Sequence, residues 1–444
     1  MHTIKAITNI KSYLGTICLC ILMSCLHLTL QAQVTLDKCK ELSRKNYPAI
    51  RQFSLIEKAR EYSLKNAALS WVPKVTIGLE GTIQNNVPTL PDKLNPFLKM
   101  ANISSNKMQK GQYKGFIDIN QTIWDGGKSK TDRDIARFEA LENKSEVETT
   151  LYEVESKIEE LYFSILLIDN GIKQTNGRLA LLNSNYDKIL SYVKNGIAMT
   201  SDADAIEAEI LSVKQGLLQL KSSRLSYIHM LGLFTGKNLE NEKFELPSLP
   251  SRLNSNDCNR PEIEYFNACI NKSNAQSKLL DVAIMPKIGL FAQTFYGYPG
   301  FDYFNSIMSK DLSFNAIAGI RLVWDISPFT TRKVRKAEIS TAKEKIMVQK
   351  ETFLFNMNLQ SESQNIEISR LKNLLIDDDK IIELRTNIRK AEESKLQNGI
   401  IDITDLLAKI TAEHDAVMNK NNHEIELLRA AYALKHINNT HSNE

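Results

Sequence analysis

The stretch Ile117-Asp118-Ile119-Asn120-Gln121-Thr122-Ile123-Trp124-Asp125-Gly126-Gly127-Lys128 passes from a strand pattern to a helix pattern within a few residues. Ile117, Ile119 and Ile123 alternate with polar residues, which is the period of a β-strand with one apolar face. No proline follows between Lys128 and Lys194, so a helix can continue without interruption. The stretch therefore predicts a strand that turns at a glycine pair into a helix far longer than those of ordinary globular domains.

The same order of sequence patterns occurs twice along the chain. Pro48 and Pro73 bracket a helical stretch and recur, with the same separation, as Pro261 and Pro286. We therefore divide the chain into a signal peptide (1–32), a first repeat (33–236), a linking segment (237–259) and a second repeat (260–444). Each repeat is predicted to contain a helix, two strands, a long helix and a return helix. The predicted strands lie within 74–124 and 287–326, and the long helices at 128–194 and 331–397.

The N-terminus has the features of an export signal. Lys5 and Lys11 precede an apolar run from Tyr13 to Leu30, and Ala32 offers a small residue for cleavage. A retained membrane anchor is one alternative, and lipidation at Cys25 is another. No later stretch is apolar enough for a transmembrane helix, so we expect an exported chain that can cross a membrane only as strands.

Aromatic residues mark the ends of the predicted strands. Trp71, Trp124 and Trp324 all lie at strand ends, and tyrosine and phenylalanine residues cluster in the intervening loops. Such residues are typical of both interfaces of transmembrane strands. The simpler alternative is a sheet of a soluble protein with one face exposed to water. Four strands cannot close a barrel, so a membrane sheet would have to be shared by several chains.

Apolar residues in the helical stretches repeat at 3-4 spacing, which predicts coiled-coil seams. One seam comprises Ile158, Leu161, Ile165, Ile168 and Ile172. A soluble four-helix bundle would show the same seams, but it would not explain the two strand pairs. At 1.5 Å per residue each long helix could extend about 100 Å.

The composition offers little support for nucleic-acid binding or catalysis. The 56 basic and 52 acidic residues leave a net charge of only +4. Gly127-Lys128-Ser129 ends like a phosphate-binding loop, but Thr122 stands where the loop needs its first glycine. We therefore expect no enzyme activity, no catalytic or metal-binding residues and no cofactor.

In the order and duplication of its motifs, the chain from about Thr35 to about Lys435 resembles the TolC-like outer membrane efflux protein family. These motifs are Asn46-Tyr47-Pro48, Arg260-Pro261-Glu262, Trp124-Asp125-Gly126-Gly127-Lys128, and the turns that open with Asn195-Gly196-Ile197 and Asn398-Gly399-Ile400.

The resemblance implies a mainly α-helical chain with a small β part. Three copies would form one 12-strand outer-membrane β-barrel, continued by a periplasmic α-helical barrel. Such a homotrimer is a passive exit duct for tripartite efflux or type I secretion in the outer membrane of a Gram-negative bacterium. Its implied partners are a periplasmic adaptor, an inner-membrane pump and outer-membrane lipid, with no nucleic acid.

The resemblance also implies roles for the two helical turns. The adaptor-docking tip would comprise Asn195, Gly196, Ile197, Asn398, Gly399 and Ile400. Asp202 and its repeat partner Asp405 would gate the periplasmic end, although capping of the following helices is an equally simple role. Some members close the aperture with a tyrosine and an arginine, where this chain has Leu396 and Ile401. The closed gate would then be apolar rather than ionic.

A periplasmic coiled-coil scaffold or adaptor without a membrane barrel is the alternative function. An adaptor has no need of a lipid-facing sheet, so the strand pairs with aromatic ends discriminate between the two interpretations.

Overall fold

The computed structural model describes residues 34–102, 107–250, 259–398, 400–401 and 403–439. The predicted signal peptide at 1–32, with Cys25, lies outside the described residues, and so does Gly399 of the second predicted tip.

The order of helices and strands repeats along the chain. The helices are α1 (Leu36–Asn46), α2 (Gln52–Leu69), α3 (Asn95–Met100), α4 (Lys128–Lys194), α5 (Thr200–Thr235), α6 (Pro261–Val282), α7 (Tyr303–Met308), α8 (Pro328–Gln397) and α9 (Ile403–Asn438). The strands are β1 (Lys74–Ile83), β2 (Gly111–Trp124), β3 (Lys287–Tyr298) and β4 (Ser313–Val323). The prediction of a mainly helical chain with a small β part is confirmed.

The fold divides into two compact units, each of which draws residues from both predicted repeats. The helical unit comprises the described parts of residues 1–50, 147–261 and 353–444. The strand unit comprises Arg51–Glu146 and Glu262–Thr352, apart from the residues not described. Both long helices, α4 and α8, contribute residues to each unit.

The strand unit contains a four-stranded antiparallel sheet in the order β1-β2-β3-β4. Pro73 and Pro286 precede β1 and β3, where the missing amide of proline stops the preceding helix. At the other end, Gly126 and Gly127 adopt positive φ angles of 71° and 94° between β2 and α4. Glycine reaches this backbone region without the steric cost of a Cβ atom. The glycine pair therefore allows a sharp turn between the end of β2 and the start of α4.

The core of the helical unit joins segments that are far apart in the sequence. Tyr162 of α4 is fully buried, and its hydroxyl lies within hydrogen-bond distance of two carbonyl oxygens, those of Val34 at 2.7 Å and Glu245 at 2.6 Å, to which its one hydrogen can be donated. The segment after α5 thus packs beside the start of the described chain, where Val34 forms a parallel bridge with Phe244. These contacts satisfy polar groups that would otherwise be buried without partners.

In the described part of the chain, no helix is both long enough and apolar enough to cross a membrane.

Candidate functional site

One face of the sheet is apolar and exposed. Antiparallel partners project to the same side, and the register pairs Val75 with Ile119 and Ile77 with Ile117. Leu290 and Ile320 continue this face on β3 and β4. The exposed apolar side chains of the face include Val75, Ile77, Leu79, Ile83, Ile117, Ile119, Leu290, Ile320 and Leu322. An apolar patch of this extent on one side of a sheet is typical of a surface that is covered by lipid or by another chain.

Aromatic side chains lie at both ends of the sheet. Trp71 precedes β1, Trp124 ends β2 and Trp324 follows β4, so all three lie at the same end of the antiparallel sheet. The indole Nε1 of Trp324 donates to the carbonyl of Ile284 at 2.9 Å. The other end carries the paired residues Tyr113 and Tyr298, and Tyr296 and Phe314. This arrangement is typical of strands whose ends lie at the two interfaces of a membrane.

The end of β2 differs from the sequence prediction in one respect. The register between β2 and β3 shifts between Thr122 and Trp124, and Trp124 lies opposite Ile288. The predicted simple alternation, which carried the apolar face on to Ile123, is therefore broken there by a bulge. A bulge inserts one extra residue into one strand and so changes which side chain faces the partner.

The opposite face of the sheet carries polar and charged groups that pair across strands. The Nε2 of Gln293 donates to Oδ1 of Asp118 at 2.6 Å. Lys114 and Glu80 form an ion pair at 3.1 Å between neighbouring strands. The sheet therefore has one apolar face and one face with most of the polar groups, as the alternation in the sequence predicts, although Phe116, Phe295 and Ile317 also lie on the second face.

The first helical turn, between α4 and α5, is built around Gly196. This residue has a φ angle of 71°, and its amide donates to the carbonyl of Val193 at 3.0 Å. The amide of Ile197 reaches back to the carbonyl of Tyr192 at 2.8 Å. These bonds satisfy the last carbonyls of α4, and the left-handed backbone favours glycine. The turn forms the end of the helical hairpin, where three residues are exposed: Asn195, Gly196 and Ile197.

Asp202 caps the start of α5. Its Oδ2 accepts a hydrogen bond from the amide of Met199 at 2.9 Å, which satisfies one of the unpaired amides at the helix start. The side chain is only half-buried. The capping interpretation thus has a contact to support it, and a gating role for Asp202 stays a prediction.

The second turn, between α8 and α9, has similar bonding. The amide of Ile400 donates to the carbonyl of Lys395 at 3.0 Å, and the side-chain amide of Asn398 donates to Ser394 at 2.8 Å. Asn398 and Ile400 are exposed, whereas Ile401 is half-buried. Asp405 is exposed in the first turn of α9.

Behind both turns lies an apolar cluster, here called the tip cluster, which joins α4, α5 and α9. Its buried members are Leu182, Ile189, Ala203, Ile206, Ile210, Val213, Ile403, Leu406 and Ile410. Leu396 of α8 packs against it and is half-buried. Four helices thus meet through apolar contacts at the place where the sequence predicts an apolar gate.

The sequence did not predict a set of ionic contacts further along the same helices. Arg389 of α8 pairs with Glu413 of α9, and its side chain is only 13% exposed. Burial by itself lowers the pKa of Arg389, but hydrogen bonding and charge attraction from Glu413 outweigh it, so the pKa is raised. Arg178 of α4 pairs with Glu209 of α5 at 2.6 Å and donates to Oγ1 of Thr411 at 2.8 Å.

The only signal for these contacts in the sequence was the presence of charged residues within seam-bearing helices. Such residues are usually solvated, and one sequence does not show which helices will face each other. Within the described residues, no group of three or more His, Cys, Asp or Glu side chains could hold a metal ion.

Comparison with known proteins identifies the fold. Neither a family model nor a curated protein sequence matches the chain. Solved structures do match: the outer-membrane channel OprN has a TM-score of 0.68 at 14% identity, covering 90% of this chain and 89% of OprN. The outer membrane channel CmeC from Campylobacter jejuni has a TM-score of 0.65 at 12% identity, over 90% of this chain and 85% of CmeC. The outer membrane protein VceC from Vibrio cholerae gives 0.60 at 13% identity, over 90% of this chain and 95% of VceC.

Proposed function

We propose, from the shared fold of these outer-membrane channels, that the chain is one subunit of an exit duct in the outer membrane of a Gram-negative bacterium. The duct is a passive conduit for substrates that an inner-membrane pump expels through a periplasmic adaptor. It catalyses no reaction and needs no cofactor. Tripartite efflux and type I secretion both fit this role.

The observation that carries the proposal is the exposed apolar face of the sheet, with aromatic side chains at both ends. In water this face would be a large aggregation-prone patch. In a membrane the same face would lie against hydrocarbon, and Trp71, Trp124 and Trp324 would lie at one interface. Strands of about ten residues match the thickness of a bilayer.

The edges of the sheet favour a shared barrel. Among the described residues, β1 and β4 each pair with one strand only, so each has an edge with unpaired backbone groups. Such edges are not tolerated in hydrocarbon, and four strands are too few to close on themselves. Three copies, with β4 of one chain pairing with β1 of the next, would give a closed barrel of twelve strands.

The helical turns supply the other two roles in this proposal. Asn195, Gly196, Ile197, Asn398, Gly399 and Ile400 would form the tip that docks on the adaptor. Asp202, Leu396, Ile401 and Asp405 would form the gate beside it. The contacts of Leu396 with the tip cluster support closure by apolar packing rather than by an ion pair.

A periplasmic scaffold or adaptor is the alternative, because coiled-coil helices alone would suit either role. The apolar sheet face disfavours it, since a chain that stays in the periplasm has no use for such a surface.

The oligomeric mass and the single-channel conductance of the protein extracted from outer membranes test the proposal. We expect a trimer with a small, steady conductance in a planar bilayer, as a duct closed at its periplasmic end would give. A monomer without conductance would overturn the duct and favour the scaffold.

A further inference from the structure

The connection between β1 and β2 presents two strongly exposed apolar side chains on the short helix α3. Phe97 and Met100 lie three residues apart on α3, hence on the same side of that helix. Their side chains are 68% and 86% exposed. The β3–β4 connection carries further exposed aromatic side chains at Phe301, Tyr303 and Phe304.

The base of this connection is well anchored. The amide of Gln84 donates to the carbonyl of Lys110 at 2.9 Å, and Thr89 forms a bridge with Lys107. The amide of Gln109 donates to the hydroxyl of Tyr298 at 2.9 Å, and Tyr298 is fully buried. Both ends of the connection are therefore tied to the sheet by hydrogen bonds.

Lysine residues are frequent in this connection. Between Gln84 and Lys110 the chain has lysines at Lys93, Lys99, Lys107 and Lys110, against the single acid Asp92. In the part of the chain that the structure describes, Lys93, Lys99 and Lys110 are exposed and form no ion pair with a carboxylate. Long lysine stems can lie along apolar surface while the ammonium group binds an anion.

We propose that this connection docks on an anionic membrane surface, with Phe97 and Met100 inserted among the lipids and the lysines bound to phosphate-bearing headgroups. A short amphipathic segment with aromatic residues on one side and lysines around it matches such a surface in both polarity and charge. The aromatic residues Tyr113, Tyr296 and Phe314 end the apolar sheet face on the same side as this connection. The inference rests on the proposed placement of the sheet in a membrane.

Native mass spectrometry of the full-length oligomer in neutral detergent tests the proposal, with phosphatidylglycerol or phosphatidylcholine added as the probe. We expect the protein to retain phosphatidylglycerol in preference. The variant K93Q/K99Q/K110Q should retain it on the order of a hundredfold more weakly, because the attractions of the three lysines to an anionic surface add. The variant K188Q/K214Q/K221Q removes the same charge from exposed lysines of the helical unit and is the matched control.

Three results would overturn the proposal. These are equal retention of the two lipids by the unmodified protein, unchanged retention by the loop variant, and an equal loss in the control variant. A second variant, Phe97→Ser with Met100→Ser, should also weaken retention while the oligomer keeps its mass. If it breaks the oligomer instead, the apolar face is an interface between copies of the chain, and the lipid proposal is wrong.

Conductance measured on the same samples separates this inference from the proposed function. An oligomer that conducts but does not prefer phosphatidylglycerol refutes only the docking surface. A protein that forms no conducting oligomer refutes the duct itself.

Discussion

Replacing Ile77 by lysine tests whether lipid covers the apolar face of the sheet. Ile77 lies in the middle part of β1, pairs with Ile117 and is 77% exposed. Its neighbour Thr76 faces the polar side of the sheet, opposite Asp118. The variants Ile77→Lys and Thr76→Lys therefore place the same charge at nearly the same depth, on opposite faces.

The expected size of the effect follows from what each face contacts. A lysine on the lipid face near the bilayer midplane costs about 2–4 kcal/mol in a membrane barrel. Three copies of Ile77→Lys in one barrel would together cost about 6–12 kcal/mol on the same scale. On a water-covered sheet an exposed substitution changes stability by only about 0.5 kcal/mol. Thr76→Lys should cost little in either case, because Asp118 can attract the new charge.

The assay is the yield of folded oligomer after the purified chain is refolded into lipid vesicles, with denaturant titration of the folded fraction. We expect Ile77→Lys to fold in much lower yield than Thr76→Lys. Equal yields and equal unfolding midpoints for the two variants would refute a lipid-covered face. Conductance of the residual folded Ile77→Lys protein would show whether the barrel still closes.

Three further predictions concern the helical unit. Leu406→Ala should lower the free energy of unfolding by about 2–5 kcal/mol, because Leu406 is fully buried in the tip cluster. Thermal unfolding would measure this loss. A loss below about 1 kcal/mol would mean that the cluster repacks around the smaller side chain. Asp202→Ala should lower the free energy of unfolding by about 1 kcal/mol, because the hydrogen bond from the amide of Met199 is lost. If Asp202 also gates the duct, the same variant should raise the resting conductance. An unchanged conductance would limit the role of Asp202 to capping. Burial, together with the charges of Lys40 and Arg260, lowers the pKa of His436 to about 3. At pH 5 the folded state therefore keeps His436 neutral while the unfolded chain binds a proton, so stability should fall by about 2 kcal/mol between pH 7 and pH 5. His436→Phe should remove this part of the pH dependence, and an equal fall in the variant would assign it to other groups.

Several features of the fold could be predicted from local sequence patterns. The alternation around Ile117 and Ile119 predicts a strand with one apolar face, and the absence of proline after Lys128 predicts the long helix. The glycine at Gly196 predicts the turn, since only glycine adopts its backbone conformation without strain. These features depend on residues close together in the chain, so a single sequence contains the information.

Other features depend on residues that are far apart in the chain. The pairing of Arg389 with Glu413 and of Arg178 with Glu209 requires knowledge of which helix faces fit together. The shift in register before Trp124 is also invisible in the alternation, because it arises from the pairing of β2 with β3.

The sequence by itself thus determined the periods and the turns, because these follow from the conformational preferences of neighbouring residues. It also revealed the duplication, because the same motifs recur in the same order along the chain. The tertiary structure decided which side chains share a face and which charged residues of different helices pair. It also decided that Phe97 and Met100 stay exposed above an anchored base, since burial depends on the packing of distant segments and not on the pattern of any one of them.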